Sequence, residues 1–243
     1  MTLALYLLDP IPPGDTVVLA GDEGRHAATV KRTRPGEQLL IGDGQGTVLT
    51  ATVHAVERDR VELVVDTRSF QPPPQLRLVV VQALAKGDRA ELAVELLTEL
   101  GADEIVPWAA ANSVTRWDPD RAAKGTDRWQ RTAREAAKQS RRAWIPTVHP
   151  LASTTQVSAR LRAATTALVL HEAAAAGLSG IQLPAAGEVI VVVGPEGGIT
   201  SEELAAFIAT GAGPIRLGES VLRTSTAGGA ALAGLSSRLG RWA

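Results

Sequence analysis

The 243-residue sequence contains no cysteine, and its only methionine is Met1. The lack of cysteine excludes disulfides, cysteine-ligated zinc or iron–sulfur clusters and cysteine nucleophiles, which removes whole classes of reaction. Long apolar runs are missing too, since none approaches the roughly 20 residues of a membrane-spanning helix. The N-terminal segment MTLALYLLDPIPPGD lacks the basic region of a signal peptide and reaches its prolines early. These absences predict a soluble cytoplasmic protein with no membrane partner.

A marked excess of charge is absent as well, because the formal net charge is −1. Attraction to nucleic acid must therefore come from local clusters. The stretch from Arg25 to Arg34 has four Lys or Arg and no acid, and the stretch from Lys124 to Arg142 has seven basic residues against two acids. Such clusters are typical of phosphate contacts. From charge alone, a solvated helix face or an acidic protein partner explains them equally well.

Short alternating stretches dominate the residues from Thr16 to Phe70, with glycines and acids at the turns between them. Asp43 and Gly44, followed by Gly46, are typical of a hairpin. No long helical pattern interrupts this region. We therefore predict that the first 70 residues form a small antiparallel barrel or sandwich.

Three consecutive prolines within residues 71–75 form a stiff, extended linker. They predict a boundary between a domain at 1–72 and a domain at 73–243. After the linker, buried strands alternate with helical patterns, which indicates an α/β domain with a parallel sheet covered on both faces.

Local signals predict where several helices of the second domain begin and end. Asp88 and Glu91 have the spacing of a capping box, and Gly101 is a stop signal for the same helix. A basic helix is predicted from about Asp127 to Arg142. The final helix is predicted to be rich in Ala and Gly.

The loop GPEGG, residues 194–198, follows the apolar strand VIVVV and precedes a capping box formed by Thr200 and Glu203. A strand, a glycine-rich turn and a helix start place a ligand beyond the carboxyl end of the strand. On shape alone, a plain tight turn is an equally good interpretation. GxGxxG and GxxxxGK[ST] are not matched, and Glu196 would repel a pyrophosphate but suits a ribose or a cationic ligand. The loop therefore favours a nucleoside without phosphates.

A second stretch, RLGESVLRTSTAGGAALAGL, spans residues 216–235. Gly218 permits backbone angles closed to other residues, and the hydroxyl residues 224–226 are candidate caps of the final helix. The small residues of that helix permit close approach of another backbone, and generic packing explains each of them singly. Arg223 is predicted near the carboxyl edge of the sheet, where a buried guanidinium usually holds an anion or a carbonyl.

GPEGG followed about 20 residues later by LGESVLRTSTA resembles the knotted SPOUT class of S-adenosylmethionine-dependent RNA methyltransferases. Within that class, the chain is similar to the family that methylates N3 of a uridine in the decoding region of 16S ribosomal RNA. Three upstream stretches agree in the same order: RHAATVKRTRPGE, ALAKGDRAELAVELLTELGADEIVPW and REAAKQSRR. The matches run from about Arg25 to the C-terminus.

The resemblance implies a PUA-like N-terminal β-barrel that contacts RNA and a C-terminal SPOUT domain whose chain forms a trefoil knot. Such threading is almost absent from other proteins, and a helix tucked through a loop needs small residues. The implied cofactor is S-adenosylmethionine, and the family works as a homodimer with each site completed near the partner subunit. The implied cofactor contacts are Leu170, His171, Glu172, Gly194, Glu196, Gly197, Gly198, Leu217, Gly218, Val221 and Leu222.

The resemblance also assigns the basic clusters to 16S ribosomal RNA, within the small ribosomal subunit. The implied RNA contacts are Arg25, His26, Lys31, Arg32, Arg34, Arg128, Arg131, Lys138, Arg141 and Arg142. Trp117, Trp129 and Trp144 flank the second cluster and are candidates for base stacking, core packing or dimer contacts. Glu219 and Ser220 replace a proline and a basic residue of many relatives, and Ser225 replaces a common acid.

Methyl transfer from a sulfonium needs no metal and no covalent intermediate. The acceptor atom must be in line with the methyl group and deprotonated, and its base must be flipped out or already unpaired. We hypothesise that Arg223 is catalytic and stabilises the charge of the deprotonated uracil imide. The four histidines lack metal-ligand spacing, so no metal is expected. Two other functions fit: a ribose 2′-O-methyltransferase of the same class, and a ribosome-assembly RNA-binding protein without catalysis.

Overall fold

The computed structural model describes residues 3–242, so residues 1, 2 and 243 of the predicted domains lie outside the described part. The chain divides into two compact units. The first comprises Met1–Pro73 with Ala137–Ile145, and the second comprises Pro74–Ala136 with Pro146–Ala243. The segment Ala137–Ile145 thus belongs with the N-terminal residues, although no local sequence pattern indicates this.

Five strands form the sheet of the N-terminal unit: β1 Leu5–Leu7, β2 Thr16–Leu19, β3 Gln38–Gly42, β4 Thr47–Val56 and β5 Val61–Phe70. They lie in the order β1-β3-β4-β5-β2. The prediction of a wholly antiparallel sheet is wrong for one pair, because β1 runs parallel to β3. Sequence patterns do not indicate β1, since three residues are too few for alternation to show.

The predicted hairpin joins β3 to β4 and is confirmed. The Oδ1 atom of Asp43 accepts hydrogen bonds from the backbone N–H of Gln45 at 2.7 Å and of Thr47 at 3.0 Å. Gly44 and Gly46 have φ values of +73° and +104°, which side chains rarely allow. The turn is therefore specified by its own residues.

A short helix, α1 Gly21–Arg25, continues into a single wide turn over His26–Val30. Ala27 of this turn is fully buried in the core of the unit, together with Leu49 and Val61. The first basic cluster is thus attached to the N-terminal unit by Ala27, by buried Thr33 and by a hydrogen bond from Thr29 to the Arg58 carbonyl.

Six strands form the sheet of the second unit: β6 Leu76–Ala83, β7 Glu104–Trp108, β8 Thr147–Val148, β9 Thr166–Leu170, β10 Gly187–Val193 and β11 Gly213–Ile215. Their order is β11-β9-β10-β6-β7-β8, and every pair is parallel. The central strands β6 and β10 are buried on both faces, as their continuous Val-rich runs predict. The predicted parallel sheet is confirmed.

The remaining helices are α2 Arg89–Glu99, α3 Pro119–Gln139, α4 Thr154–Ala163, α5 Ser201–Ile208 and α6 Thr224–Arg238. One core of the second unit contains residues of α2, α3 and α6, and a separate core contains residues of α4 and α5. Both faces of the sheet are therefore covered, as predicted. Within residues 3–242, no helix is long and apolar enough to cross a lipid bilayer.

Helix α2 does not use the predicted capping box. Asp88 makes no side-chain cap bond and has helical backbone angles, and the carboxylate of Glu91 instead pairs with Arg128 at 2.7 Å. The predicted stop signal is confirmed, because Gly101 follows the helix with a φ of +98°. The Glu91–Arg128 ion pair has thus replaced the predicted capping box at the start of α2, while the predicted end of the helix is unchanged.

Two further helix boundaries differ from prediction. Helix α3 begins at Pro119 and ends at Gln139, so Arg141 and Arg142 lie beyond it, and Arg141 has a φ of +55°. The hydroxyl groups of residues 224–226 do not cap α6, whose N-cap residue is Arg223 without a side-chain cap bond.

The small residues of α6 permit close packing, as predicted. A Cβ atom on Gly228 would lie 2.8 Å from Cδ2 of Leu97, and one on Gly229 would lie 2.9 Å from Cδ1 of Leu100. Both distances are below normal van der Waals contact. A side chain at either position would therefore require a leucine of α2, or the leucine that follows it, to move.

Candidate functional site

A cavity of about 490 Å³ lies at the carboxyl ends of three neighbouring strands. The last residues of β9, β10 and β11 line it, namely Leu170, Val193 and Ile215. Because these strands are parallel and adjacent, the loops that follow them meet at the same edge of the sheet. The cavity lies wholly within the second unit.

All eleven residues that the resemblance implies as cofactor contacts line this cavity, and so does Arg223. They come from three loops that are far apart in the sequence, at 170–172, 194–198 and 217–223. The structure thus brings the three loops together, while the role of each residue in binding stays a prediction.

The GPEGG loop is held in place from outside. The Nδ2 atom of Asn112 donates to the carbonyl oxygens of Gly197 at 3.1 Å and Gly198 at 3.2 Å. Glu196 accepts a hydrogen bond through Oε1 from the backbone N–H of Lys86 at 3.2 Å. Gly198 has a φ of +76°. The loop therefore has a defined conformation that depends on two other segments of the chain.

The predicted capping box at the start of α5 is confirmed, and it is tied into the neighbouring structure. Thr200 Oγ1 accepts from the Glu203 N–H at 3.2 Å, and Glu203 Oε2 accepts from the Thr200 N–H at 3.1 Å. Glu203 Oε1 also accepts from the Ala111 N–H at 2.8 Å and from Thr154 Oγ1 at 3.2 Å. Glu203 is buried, and the hydrogen bonds of its carboxylate give it a structural role.

Gly218 does not need the backbone freedom of glycine, because its φ is not positive. A Cβ atom at this position would meet no atom within 4 Å. The absence of a side chain thus leaves space in the cavity rather than permitting a turn, which corrects the prediction from sequence. Beside it, Val221 is 78% exposed and Leu222 is 39% exposed, an unusual state for apolar side chains.

Arg223 lines the cavity at the start of α6 but is exposed, so the prediction of a buried guanidinium is wrong. Within residues 3–242, its side chain has no hydrogen bond or ion pair. An exposed, unpaired guanidinium at a cavity wall is available to a ligand.

Sequence reasoning missed several residues at this site. Arg89, the first residue of α2, and Arg216, which follows β11, are both exposed and line the cavity. Asn112 supports the GPEGG loop from a distant segment. Arg89 lies within the stretch ALAKGDRAELAVELLTELGADEIVPW, so the motif signals its position, whereas nothing local signals Asn112.

The first basic cluster lies in the N-terminal unit, after α1. Lys31, Arg32 and Arg34 are exposed, and Arg32 has a φ of +55°. Arg25 is exposed but pairs with Asp22 at 2.8 Å. His26 is half-buried, with its ring 6.1 Å from that of Tyr6.

Some residues of the second basic cluster form ion pairs within the protein. Arg131 and Arg141 are exposed, Arg142 is half-buried, and Arg128 pairs with Glu91. The Lys138 side chain is only 10% exposed, and its ammonium group bonds Glu23 at 2.7 Å. Lys138 therefore has a structural partner within the N-terminal unit, which weakens its case as an RNA contact.

Two of the three tryptophans near this cluster pack in the core. Trp129 is 1% exposed, and its ring lies 5.4 Å from that of Trp117 in an edge-to-face arrangement. Trp144 is half-buried, and its indole N–H donates to the Gln71 carbonyl at 2.8 Å. Core packing therefore explains Trp117 and Trp129.

A network of charges lies at the opposite, amino edge of the sheet. Glu104 accepts hydrogen bonds from His149 at 2.6 Å, from Arg77 at 2.9 Å and from Arg160. The hydrogen bond from His149, opposed by burial and assisted by Arg160, lowers the pKa of Glu104 to about 2. In the described part of the chain, no group of three His, Asp or Glu side chains is arranged to hold a metal ion.

The chain matches two protein families. Residues 71–236 match the family described as "RNA methyltransferase domain", and residues 19–66 match the family described as "RNA methyltransferase PUA domain". The first match covers more than half of the chain.

Individual relatives match over nearly the whole length. A Mycobacterium tuberculosis protein named "Ribosomal RNA small subunit methyltransferase E" is 46% identical over 247 aligned positions, which cover 100% of this chain and 94% of the relative. The Bacillus subtilis protein of the same name is 30% identical and covers 93% and 91%. A crystal structure of the Neisseria gonorrhoeae protein of that name, bound to S-adenosyl methionine, has a TM-score of 0.85, with 29% identity and 98% coverage of both chains.

Proposed function

Because the chain belongs to the RNA methyltransferase family of the proteins named ribosomal RNA small subunit methyltransferase E, we propose that it methylates N3 of a uridine in the decoding region of 16S ribosomal RNA. The methyl donor in this proposal is S-adenosylmethionine. One observation carries it: the three loops of the implied cofactor site converge on a single cavity at the carboxyl edge of the parallel sheet.

The cavity fits the proposed cofactor. Its volume of about 490 Å³ is within the range of about 300–1,000 Å³ for small-molecule sites. Gly194, Gly197 and Gly218 keep side chains away from its walls, and Glu172 and Glu196 offer carboxylates to a cationic ligand. When bound, S-adenosylmethionine supplies an electrophilic methyl group on a positively charged sulfur.

Glu196 is suited to a ligand of this charge. One carboxylate oxygen is oriented by the Lys86 N–H, so the group is anchored before a ligand arrives. A carboxylate in a glycine-rich loop disfavours a pyrophosphate and favours a cation. The loop therefore favours a nucleoside that has no phosphate and carries a positive charge.

Arg223 is the proposed catalytic residue. N3 of uracil becomes nucleophilic when it loses its proton, and the resulting charge spreads onto two carbonyl oxygens. An unpaired guanidinium at the cavity wall stabilises such an anion, because it carries the opposite charge and donates hydrogen bonds to the carbonyl oxygens. Arg223 would therefore act mainly on the acceptor base.

Several features support ribosomal RNA as the substrate. Arg89 and Arg216 place two more cations on the cavity wall. In the N-terminal unit, Lys31, Arg32 and Arg34 are exposed and have no ion-pair partner in residues 3–242. Phosphate contacts of this kind position RNA without reading its sequence. The small ribosomal subunit, in the cytoplasm, is the proposed setting.

A homodimer and a trefoil knot belong to the same proposal. Exposed Val221 and Leu222 at the cavity rim would be covered by RNA or by a second subunit. Thr224 at the start of α6 bonds the Gly194 carbonyl, and Arg241 after α6 bonds carbonyls of Leu76 and Gly101. The C-terminal segment is thus held at the carboxyl edge of the sheet by Thr224 and at its amino edge by Arg241. The knot itself is carried over from the resemblance.

Nucleoside mass spectrometry of 16S ribosomal RNA from a deletion strain tests the proposed function. We expect the loss of one 3-methyluridine and its return when the wild-type gene is restored. Loss of a 2′-O-methylated nucleoside instead would support the ribose methyltransferase. An unchanged 16S ribosomal RNA would overturn the proposal, and failure of the pure protein to bind S-adenosylmethionine would favour an RNA-binding assembly protein.

The role of Arg223 is tested separately with Arg223→Ala. We expect its rate of transfer to 16S ribosomal RNA to fall about 100- to 1,000-fold, the usual effect of removing one transition-state donor, with the Kd for S-adenosylmethionine nearly unchanged. Arg121→Ala is the matched control, because Arg121 is exposed on α3 and does not line the cavity. A wild-type rate for Arg223→Ala would exclude the role.

A further inference from the structure

Gln82 is a buried polar residue close to the cavity but not among its lining residues. It lies near the end of β6 and is 1% exposed. Its Nε2 atom donates to Thr224 Oγ1 at 3.1 Å and lies 3.2 Å from the Ala83 carbonyl oxygen and 3.4 Å from that of Thr224. A central strand is thereby joined to the first residue of α6.

Thr224 connects Gln82 to the cavity wall through a second hydrogen bond. Its hydroxyl group accepts from Gln82 and donates to the Gly194 carbonyl at 2.6 Å. Gly194 is the first residue of the GPEGG loop, and both Gly194 and Thr224 line the cavity. Two hydrogen bonds therefore connect three chain segments that meet only in the tertiary structure.

The orientation of the Gln82 amide follows from its neighbours. The Thr224 hydroxyl has a single proton, which the Gly194 carbonyl takes, so it must accept from Gln82. A flipped amide would place Oε1 against two backbone carbonyl oxygens. The donor assignment is therefore the one that avoids repulsion.

This arrangement is unfavourable for stability alone. Within residues 3–242, the Oε1 atom of Gln82 is buried without a hydrogen-bond partner, and a buried unsatisfied acceptor is costly. An unbranched apolar side chain of the same length would fill the space without that cost. A glutamine here is better explained by what its amide group positions.

The positioned group is the peptide bond between Gly194 and Pro195. Gly194 has no side chain to restrict its torsions, and the bond from Thr224 directs its carbonyl oxygen towards the start of α6. Without that bond, the Gly194 carbonyl loses the hydroxyl group that orients it, and the following proline restricts its torsions only in part. The hydrogen-bonded link thus orients the first residue of the loop before any ligand binds.

We propose that Gln82 is a positioning residue for the methyl donor, acting through Thr224 to hold the Gly194 carbonyl in the orientation that binds it. The inference rests on the proposed function, because it takes S-adenosylmethionine as the ligand of this cavity. It concerns binding of the donor and not the chemistry at the RNA base. Loss of the link should weaken donor affinity and leave the rate at saturating donor unchanged.

The test compares three variants with the wild-type protein. Gln82→Met keeps the length of the side chain and removes the donor, Thr224→Val keeps the shape and removes the hydroxyl, and Thr224→Ser is the control that keeps the hydroxyl. Isothermal titration calorimetry gives the Kd for S-adenosylmethionine. Hydrogen–deuterium exchange of the ligand-free proteins gives the mobility of residues 194–200.

We expect Gln82→Met and Thr224→Val each to raise the Kd about tenfold, the effect of one lost hydrogen bond. Thr224→Ser should stay within about threefold of wild type. The double variant should bind about as weakly as Thr224→Val alone, because both changes break one link. Exchange should be faster at residues 194–200 and unchanged in the sheet.

The outcomes separate this inference from the proposed function. If the wild-type protein does not bind S-adenosylmethionine, both are overturned. If the wild-type protein binds S-adenosylmethionine and Gln82→Met binds it equally well, only the inference is overturned. Faster exchange throughout the sheet of Gln82→Met would also overturn it, because Gln82 would then have a merely structural role. If Gln82→Met does not fold, equal Kd values for Thr224→Val and Thr224→Ser would overturn it.

Discussion

Replacement of Gly197 by alanine should disturb the cavity wall directly. The Cβ atom of Gly197→Ala would lie 2.9 Å from Cβ and 3.1 Å from the carbonyl oxygen of Asn112. Normal contacts between carbon atoms are about 3.5–4.0 Å, so the loop or its neighbour must move by roughly half an ångström. The backbone of Gly197 has no positive φ, and steric contact is therefore the only penalty.

The size of the effect follows from two contributions. Overpacking costs about 1–3 kcal/mol in a tight core, and the exposed position of Gly197 places this loop at the lower end. The two hydrogen bonds from Asn112 are each worth about 0.5–1.5 kcal/mol and are weakened by the same movement. We expect a loss of about 1–2 kcal/mol in the free energy of unfolding, which lowers the Tm by about 2–8 °C.

Differential scanning calorimetry measures this Tm, and isothermal titration calorimetry measures the Kd for S-adenosylmethionine. Gly218→Ala is the matched control, because it adds the same methyl group to the same cavity where no atom lies within 4 Å. Its Tm should equal that of the wild type or exceed it slightly, since alanine restricts the unfolded chain. Both variants should bind the donor more weakly, but only Gly197→Ala should be destabilised.

Equal Tm values for Gly197→Ala and wild type would refute this reasoning. Such a result would mean that Asn112 does not support the loop in solution. A lower Tm for Gly218→Ala would equally contradict the open space beside that residue.

Two further predictions concern other parts of the chain. Glu104 has a folded pKa of about 2 against an ordinary value of 4.5, so it adds stability that is present above pH 4.5 and lost as the pH falls towards 2. Chemical denaturation should show Glu104→Gln less stable by up to about 3 kcal/mol at pH 7, with the difference shrinking below pH 4.5; a difference independent of pH would contradict this. Arg32→Gly should raise the free energy of unfolding by up to about 1 kcal/mol, because Arg32 has a φ of +55°. In filter-binding assays the same variant should bind RNA more weakly, and its affinity should depend less steeply on salt concentration. Unchanged RNA affinity would remove Arg32 from the proposed interface.

Local patterns predicted most of the second unit correctly. The continuous apolar runs of its central strands indicate a parallel sheet, since both faces of such a sheet are buried. The capping box of Thr200 and Glu203 is confirmed because its two partners are three residues apart in one turn. Gly101 and the hairpin at Asp43 are confirmed for the same reason, as each is specified by neighbours in the chain.

The failures occur where a distant partner competes with a local one. Glu91 pairs with Arg128 and not with the start of its own helix. Thr224 donates to Gly194, so it does not cap α6. Arg223 is exposed, because the helix begins at the surface of the cavity and not inside the sheet.

The sequence by itself determined the class of fold and several turns and caps, because these depend on residues within a few positions of one another. The three cavity loops were implied by the resemblance of several separate motifs to RNA methyltransferases. Only the tertiary structure decided what holds the cavity together. The contacts from Gln82 to Thr224, from Thr224 to Gly194 and from Asn112 to Gly197 join segments up to 142 residues apart. Their partners are selected by how the strands and helices pack, and no periodicity or spacing in the chain encodes that packing directly.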